Sequence, residues 1–356
     1  FSLYLYYIYI NIMKNGDDIN GFLLDNTNIL FFNIFIKNNK LYLIRPCYKD
    51  NIDKSSIRIS YNSINLINLH EIKSINDGPI IILIYDFNFN SEDIYKIEVI
   101  FDDKIKSKVL TKTFMLKNKK TYKNKNLALT TLFKSDYKLM NIFYDYYKKQ
   151  GVEHFYMYYN GKISNEIKKY YDKEDITLVE WNYVYNNNKS VIRRHHAQPG
   201  QMHDALYRFG KDEYEYMIFC DLDEYLYIND KKIIDLLEDR SVDSYGFRNV
   251  WANSKDNKVP EEFPDEFYIT DEIPPHYTFR SKAIHKTDTM NNLNIHSGVK
   301  FKSHNINIKS NNIMFHFHSW GGLNCSRYKT VNLINLNNFK YTLKACVCPQ
   351  CHAAKT

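Results

Sequence analysis

The sequence predicts an α/β protein: a mostly parallel, Rossmann-like sheet flanked by helices, preceded by a smaller β-rich domain. Three observations carry this. From Leu127 onward, short apolar runs alternate with segments of helical spacing, the pattern of a doubly wound parallel sheet. One of those runs, Tyr216-Met217-Ile218-Phe219, leads into Cys220-Asp221-Leu222-Asp223-Glu224-Tyr225, so acidic side chains stand where a buried strand ends. Before residue 120 the runs are strand-like and lack helical spacing between them. The expected layout is therefore a β-rich module over 1–120, the α/β domain over 121–345 and a short tail over 346–356.

The N-terminal strands are read at Ile29–Ile36, Leu41–Ile44, Ile57–Ile59, Ile80–Tyr85 and Ile97–Phe101, separated by turn signals such as Asn76-Asp77-Gly78-Pro79. After the polar Lys117–Asn126 stretch, Leu127–Phe133 is a buried strand. Lys134-Ser135-Asp136 is a strand-to-helix turn with Ser135 or Asp136 as N-cap. A helix follows from Tyr137 to about Gln150, with Leu139, Met140, Phe143, Tyr144 and Tyr147 on one face and Gly151 at C′. His154–Tyr159 is the next strand, Asn160-Gly161 a turn, Ser164–Tyr171 a helix and Ile176–Trp181 a strand. Arg193-Arg194-His195-His196 forms a basic loop ahead of a helix over about Gln201–Phe209. Beyond Glu224 come a short helix at Ile233–Asp239, a strand at Tyr245–Val250, an acidic Pro-rich loop at Pro260–Phe267, and Phe315-His316-Phe317-His318, whose two His share one face of an extended segment.

The bulk properties exclude several classes. The chain has 356 residues, 44% hydrophobic and 25% charged, which suits a packed globular core. Its 31 Tyr and 22 Phe reflect composition before chemistry, because Tyr buries its ring while keeping its hydroxyl hydrated. The net charge is +7, but the Lys are scattered and no basic stripe or nucleic-acid module stands out. The excess suits an anionic nucleotide or an acidic glycan equally. Six Cys are too few and too dispersed for a disulfide scaffold, so reduced thiols in a cytosol-like compartment are expected. No run approaches the ~20 apolar residues of a membrane span. Phe1–Met13 is apolar but lacks a basic n-region and a cleavage site. A cytoplasmic location follows, with a secretory-lumen location as the alternative had an anchor preceded Phe1.

In an extended segment, Asp221 and Asp223 point to one side. Two hard oxygen donors suit Mn²⁺ or Mg²⁺, which in turn holds a diphosphate. The plain alternative is a polar turn after a strand. Glu224 is read as orienting the pair from behind, or equally as a turn carboxylate. In the tail, Cys346, Cys348, Cys351 and His352 supply half of a zinc-site pattern, with a frayed terminus as the stronger reading.

From Leu127 to about Ser319 the order of motifs resembles the nucleotide-sugar transferases of the GT-A fold, most of all glycosyltransferase family 92 and its family 2-like relatives. The resemblance rests on Lys134-Ser135-Asp136, on Gly151-Val152-Glu153-His154-Phe155-Tyr156-Met157-Tyr158-Tyr159-Asn160, on Gln198, Gln201, Asp204 and Leu206, on Asp221-Leu222-Asp223-Glu224-Tyr225, and on Lys282, His296 and His318. It implies a metal-dependent hexosyltransferase acting on a nucleotide-diphosphate sugar, with a UDP-sugar as the expected donor and a glycan or glycoconjugate as acceptor. It implies metal ligation by Asp221, Asp223, His296 and His318, with His316 as the alternative to His318. Donor contacts are implied at Phe133, Asp136, Asn160, Gln198, Asp204, Leu222 and Lys282, with Arg280 beside Lys282. An inverting reaction needs a general base, sought at Glu262 and Asp265, with Glu261 and Glu266 as alternatives. Two rivals remain: a catalytically degenerate glycan- or nucleotide-binding protein, and a nucleotidyltransferase, which would carry a Gly-rich basic loop after its first strand.

Overall fold

The structure is a computed structural model that describes residues 19–49, 52, 56–61, 64–65, 71–75, 79–86, 94–187, 190–256, 258–270, 280–291, 293–295, 306–307, 312–320 and 330–339. His296, the Cys346–His352 tail and Phe1–Met13 lie outside the described residues. The chain divides into two compact units that interleave along the sequence. The first takes Phe1–Lys123, Tyr158–Lys162 and Thr177–Glu213; the second takes Asn124–Met157, Ile163–Ile176 and Tyr214–Thr356.

The first unit is built on β1 (Phe22–Leu23), β2 (Ile29–Phe31), β3 (Asn33–Lys37), β4 (Lys40–Pro46), β5 (Ile57–Tyr61), β6 (Ile64–Asn65), β7 (Glu71–Ile75), β8 (Ile80–Asp86), β9 (Ile94–Asp103) and β10 (Lys108–Lys119). β1 and β2 pair with each other, and the remaining eight form one sheet in the order β6-β5-β9-β10-β3-β4-β8-β7. Alternation dictates the packing face: in β9, Tyr95, Ile97, Val99 and Phe101 are buried while their neighbours are not. They join Leu30, Phe31, Ile34, Ile36, Leu41 and Leu43 in one core. The β3–β4 hairpin turns on Asn38 and Asn39, at φ 48° and 63°, the left-handed pair a two-residue hairpin loop demands and Asn tolerates. The same unit holds helix Ala197–Ala205, which runs on into a wider turn at Leu206–Gly210.

The second unit contains β11 (Lys125–Phe133), most of β12 (His154–Tyr159), β14 (Tyr214–Phe219), β15 (Glu224–Tyr227), β16 (Ser244–Asn253), β17 (Glu266–Thr270), β18 (Lys282–Lys286), β19 (Ile306–Asn307), β20 (Ile313–Phe317) and β21 (Thr330–Asn335); β13 (Ile176–Glu180) falls almost wholly in the first unit. Helix α1 (Met140–Lys149) follows a single 3-10 turn at Tyr137–Leu139, and α2 is Asn165–Tyr171. Ser164 caps α2, its hydroxyl accepting from the Ile167 N–H at 3.3 Å. Gly151 ends α1 at φ 96°, and a Cβ there would lie 2.6 Å from the Ile234 Cβ, so both backbone and space demand glycine.

The expectation of a mostly parallel, helix-flanked sheet is overturned. The sheet runs β12-β11-β14-β18-β16-β17-β21, with β15, β19 and β20 attached through β16 and β20. β11 and β14 are parallel, but β14–β18, β18–β16, β16–β17, β17–β21 and β15–β20 are antiparallel. Both units are strand-rich, with mixed and antiparallel sheets. The strand–helix alternation that suggested parallel crossovers is real between residues 125 and 219. After Glu224, strands follow one another with little helix between them, and antiparallel neighbours need no crossover helix. Among the described residues no helix is long and apolar enough to cross a membrane.

Candidate active site

The antiparallel pairing is what assembles the site. β14 is apolar and almost wholly buried, so it fixes Phe219 deep in the sheet and releases the chain into the acidic turn. β18 runs against it with Ala283 opposite Phe219, which sets Lys282 beside the turn. The Lys282 ammonium, 3% exposed, lies 2.9 Å from Asp221 Oδ2 and 3.1 Å from Glu224 Oε2. Glu224 Oε2 also accepts the Asp221 N–H at 2.7 Å, and the Glu224 N–H donates to the Asp221 carbonyl at 3.1 Å, closing the turn on itself. Tyr147 of α1 locks it from behind: its hydroxyl donates to the Glu224 carbonyl at 2.8 Å and accepts the Leu226 N–H at 3.0 Å.

The register of β15 on β20 places Glu224 opposite His316, and the register of β16 on β20 places Trp251 opposite the same His316. His316 Nε2 is 3.3 Å from Asp223 Oδ2. Its Nδ1 is 3.3 Å from Asn249 Oδ1 and 3.7 Å from Glu224 Oε1. The imidazole stacks on the Trp251 indole, centroids 4.4 Å apart and planes 30° apart, and the Arg280 guanidinium stands 5.4 Å from the same indole centroid. His318, one step past the end of β20, meets Trp251 edge-on at 5.9 Å. Strand parity could not choose between the two His; the register chooses His316 as the partner of Asp223.

The electrostatics follow from burial and proximity. Burial pushes the Lys282 ammonium toward its neutral form, but the charges of Asp221 and Glu224 outweigh it and hold its pKa above the ordinary value. Burial raises the Glu224 carboxyl against the pull of Lys282. Asp223 is desolvated as well, yet the adjacent His316 holds its carboxyl below the usual range; reciprocally, Asp223 and Glu224 overcome burial and raise His316. His318 goes the other way, lowered by burial and then by His316. Asp136, half-buried, is pushed up to about 6 by burial, with the charges of Asp223 and Asp221 adding to it. That places Asp136 within the field of the acidic turn. Its carboxylate does not cap the helix; Oδ1 accepts the Lys134 N–H at 3.0 Å instead.

The acidic loop before β17 is pinned by Phe263, whose ring packs 4.5 Å from Tyr146 and 4.7 Å from Tyr225, the residue after Glu224. Glu261, Glu262 and Asp265 on that loop are exposed, and Glu266 pairs with Lys255. The remaining expected donor residues are engaged elsewhere. Phe133 stacks on Tyr171 at 4.8 Å in the core, and Leu222 is fully buried. Asn160, Gln198 and Asp204 belong to the first unit. There Asn160 donates to the Trp181 and Tyr183 carbonyls at 2.9 and 2.8 Å, and Gln198 accepts from the Tyr185 hydroxyl at 3.0 Å. Asp204, with no exposed surface, accepts from Asn33 at 2.7 Å and Tyr158 at 2.6 Å. Arg193 of the basic loop forms a two-pronged buried pair with Asp103 at 2.8 and 2.9 Å. Asn249 and Trp251 were missed by sequence reasoning; their signal is the polar–aromatic alternation of β16 on the face shared with His316.

Among the described residues no three His, Cys, Asp or Glu side chains form a group able to enclose an ion. The Asp223 and His316 side chains keep 12% and 13% of their surface exposed. Asp223 Oδ2 and His316 Nε2 at 3.3 Å are close to the roughly 3 Å separating adjacent ligands of a six-coordinate ion with bonds of about 2.1 Å. Asp221 stands two positions before Asp223 with its Oδ2 2.9 Å from Lys282, and two carboxylates with an imidazole are donor types that Mn²⁺ or Mg²⁺ accepts.

The family model of glycosyltransferase family 92 matches residues 129–342. No curated protein matches the chain.

Proposed function

Since the chain belongs to glycosyltransferase family 92 and is therefore a sugar-transferring enzyme by family, we propose that it moves a hexose from a nucleotide-diphosphate sugar, a UDP-sugar, to a hydroxyl of a glycan or glycoconjugate. The observation that carries this is the convergence of Asp221, Asp223, Glu224, Lys282 and His316 at the end of β14. Such a cluster of fixed charges suits the charge that builds on a departing diphosphate. Asp221 and Asp223, with His316 in its neutral form, would hold Mn²⁺ or Mg²⁺. When bound, that ion supplies Lewis-acid neutralisation of the leaving group and a template for its phosphates.

The chain's own residues do the rest. Lys282 holds the acidic turn closed by bridging Asp221 and Glu224, and its ammonium stays charged because both carboxylates favour it. Glu224 anchors the Asp221 N–H, so the turn is preformed before a donor arrives. Arg280, exposed beside Trp251, offers a second cation for phosphate. In the inverting reaction proposed here, the acceptor oxygen bonds to the anomeric carbon as the bond from that carbon to the diphosphate oxygen breaks. A carboxylate takes the acceptor proton, and Glu262 and Asp265 are the candidates because Phe263 holds their loop against Tyr225, next to the acidic turn. The test is a transfer assay with a panel of nucleotide sugars, with Mn²⁺, Mg²⁺ or chelator. Turnover or donor hydrolysis that needs a divalent ion is the expected result; none with any donor and metal overturns the proposal.

A further inference from the structure

We infer that Tyr147 of α1 is a positioning residue: its buried hydroxyl staples the two ends of the acidic turn together and so sets where Asp221 and Asp223 stand. What those carboxylates hold rests on the transferase reading above; the staple itself does not.

The reason lies in the outer edge of β15. Among the described residues β15 pairs with β20 alone, and across that pair the Phe317 N–H donates to the Asp223 carbonyl at 2.9 Å. Successive residues of a strand turn their backbone groups to opposite edges. Asp223 and Tyr225 therefore face β20, while Glu224 and Leu226 face the edge that no strand covers. Buried backbone groups need partners, and here side chains supply them. The Glu224 N–H donates to the Asp221 carbonyl at 3.1 Å. The Tyr147 hydroxyl donates to the Glu224 carbonyl at 2.8 Å and accepts the Leu226 N–H at 3.0 Å. The Tyr146 hydroxyl donates to the Leu226 carbonyl at 2.7 Å. Two adjacent tyrosines of α1 thus stand in for a missing strand.

The direction of these bonds follows from the backbone. A carbonyl only accepts and an amide N–H only donates, so the Tyr147 hydroxyl must do one of each. Its second acceptor position faces the Cys220 Sγ at 3.6 Å. One oxygen therefore meets the residue before Asp221 and also both residues that flank Tyr225, and the two aspartates lie on the chain between those grips. The Tyr147 ring is fully buried against Phe143 at 4.7 Å and Tyr146 at 5.1 Å, so the hydroxyl is presented from a fixed place. Tyr146 differs in one respect: its bond falls beyond the turn, on Leu226 alone.

The test uses the full chain with Tyr147→Phe and Tyr146→Phe, each of which removes one buried hydroxyl. The first readout is amide hydrogen exchange on ligand-free protein. In wild type the Leu226 N–H should be protected about 100-fold or more over an unstructured chain. In Tyr147→Phe it should exchange about 10-fold faster relative to the amides of β14, and in Tyr146→Phe at close to the wild-type pace. The second readout is calorimetric binding of UDP with Mn²⁺. It should weaken about 10-fold in Tyr147→Phe, the scale on which outer partners tune a metal site, and stay within about 2-fold of wild type in Tyr146→Phe. A purely structural role would weaken binding alike in both variants. The inference is overturned by an unprotected Leu226 N–H in wild type, by unchanged exchange there in Tyr147→Phe, or by UDP affinity in Tyr147→Phe no weaker than in Tyr146→Phe. Absence of UDP binding by wild type would sink the donor reading instead, and exchange at Leu226, measured without ligand, would still decide the staple.

Discussion

Replacing Lys282 by Met gives the sharpest test of how the acidic turn is held. The ammonium makes two contacts of different worth. Asp221 at 2.9 Å is 34% exposed, and a pair so open to water contributes roughly 0–1 kcal/mol. Glu224 at 3.1 Å is 2% exposed, and removing one partner of a buried pair costs about 3–5 kcal/mol, because the other is left charged and dry. Glu224 escapes part of this by taking up a proton, so the cost should be larger at pH 8 than at pH 5. Lys282→Met should therefore destabilise the protein by about 3 kcal/mol or more at pH 8, against about 1 kcal/mol or less for Asp221→Asn. In the double variant with Glu224→Gln the stranded charge is gone, and most of the loss should return, a coupling of about 2 kcal/mol. Guanidinium unfolding of wild type, Lys282→Met, Glu224→Gln, the double variant and Asp221→Asn supplies the numbers. A Lys282→Met variant no less stable than Asp221→Asn, or a double variant whose loss equals the sum of the singles, refutes the reasoning.

Asp223→Ala should abolish Mn²⁺-dependent nucleotide-diphosphate binding with the fold retained, and calorimetry with UDP decides it. Asp136 has a folded pKa of about 6 against an ordinary 3.8, so the folded state binds more protons between those values, and its stabilising contribution is lost as pH rises through 6. Asp136→Asn in metal-free protein should accordingly gain on wild type between pH 4 and pH 8, by at most about 3 kcal/mol, read from denaturation at both ends. Phe263→Ala should loosen the loop bearing Glu262 and Asp265, costing about 2 kcal/mol and raising hydrogen exchange across 260–265; unchanged exchange would show the ring is no anchor. Gly151→Ala should cost about 1–2 kcal/mol from backbone strain alone, more with the Ile234 contact, and lower the melting temperature.

Local signals were readable where chemistry is local. The buried β14 and the acidic turn were visible because an apolar run ends in carboxylates, and Gly151 because a left-handed helix end favours its own residue type. What the sequence hid was long-range pairing. Lys282–Lys286 has two apolar residues in five and no mark of the partner it runs against, so the antiparallel sheet stayed invisible. The same holds for Asp204, whose partner Asn33 is 171 positions away, a separation no local pattern spans. His316 was separable from His318 only through the pairing of Glu224 and Trp251 across β20.

The way the chain threads back and forth between its two units bears on synthesis. The first unit draws its last segment from Thr177–Glu213, so a ribosome that has released only the first 123 residues has made most of its strands but not Asp204, which Asn33 holds, nor Arg193, which covers Asp103. The nascent β-sheet must wait, incomplete, while part of the second unit emerges ahead of its closing piece. A gene cut between the two at residue 123 would give no clean module on either side.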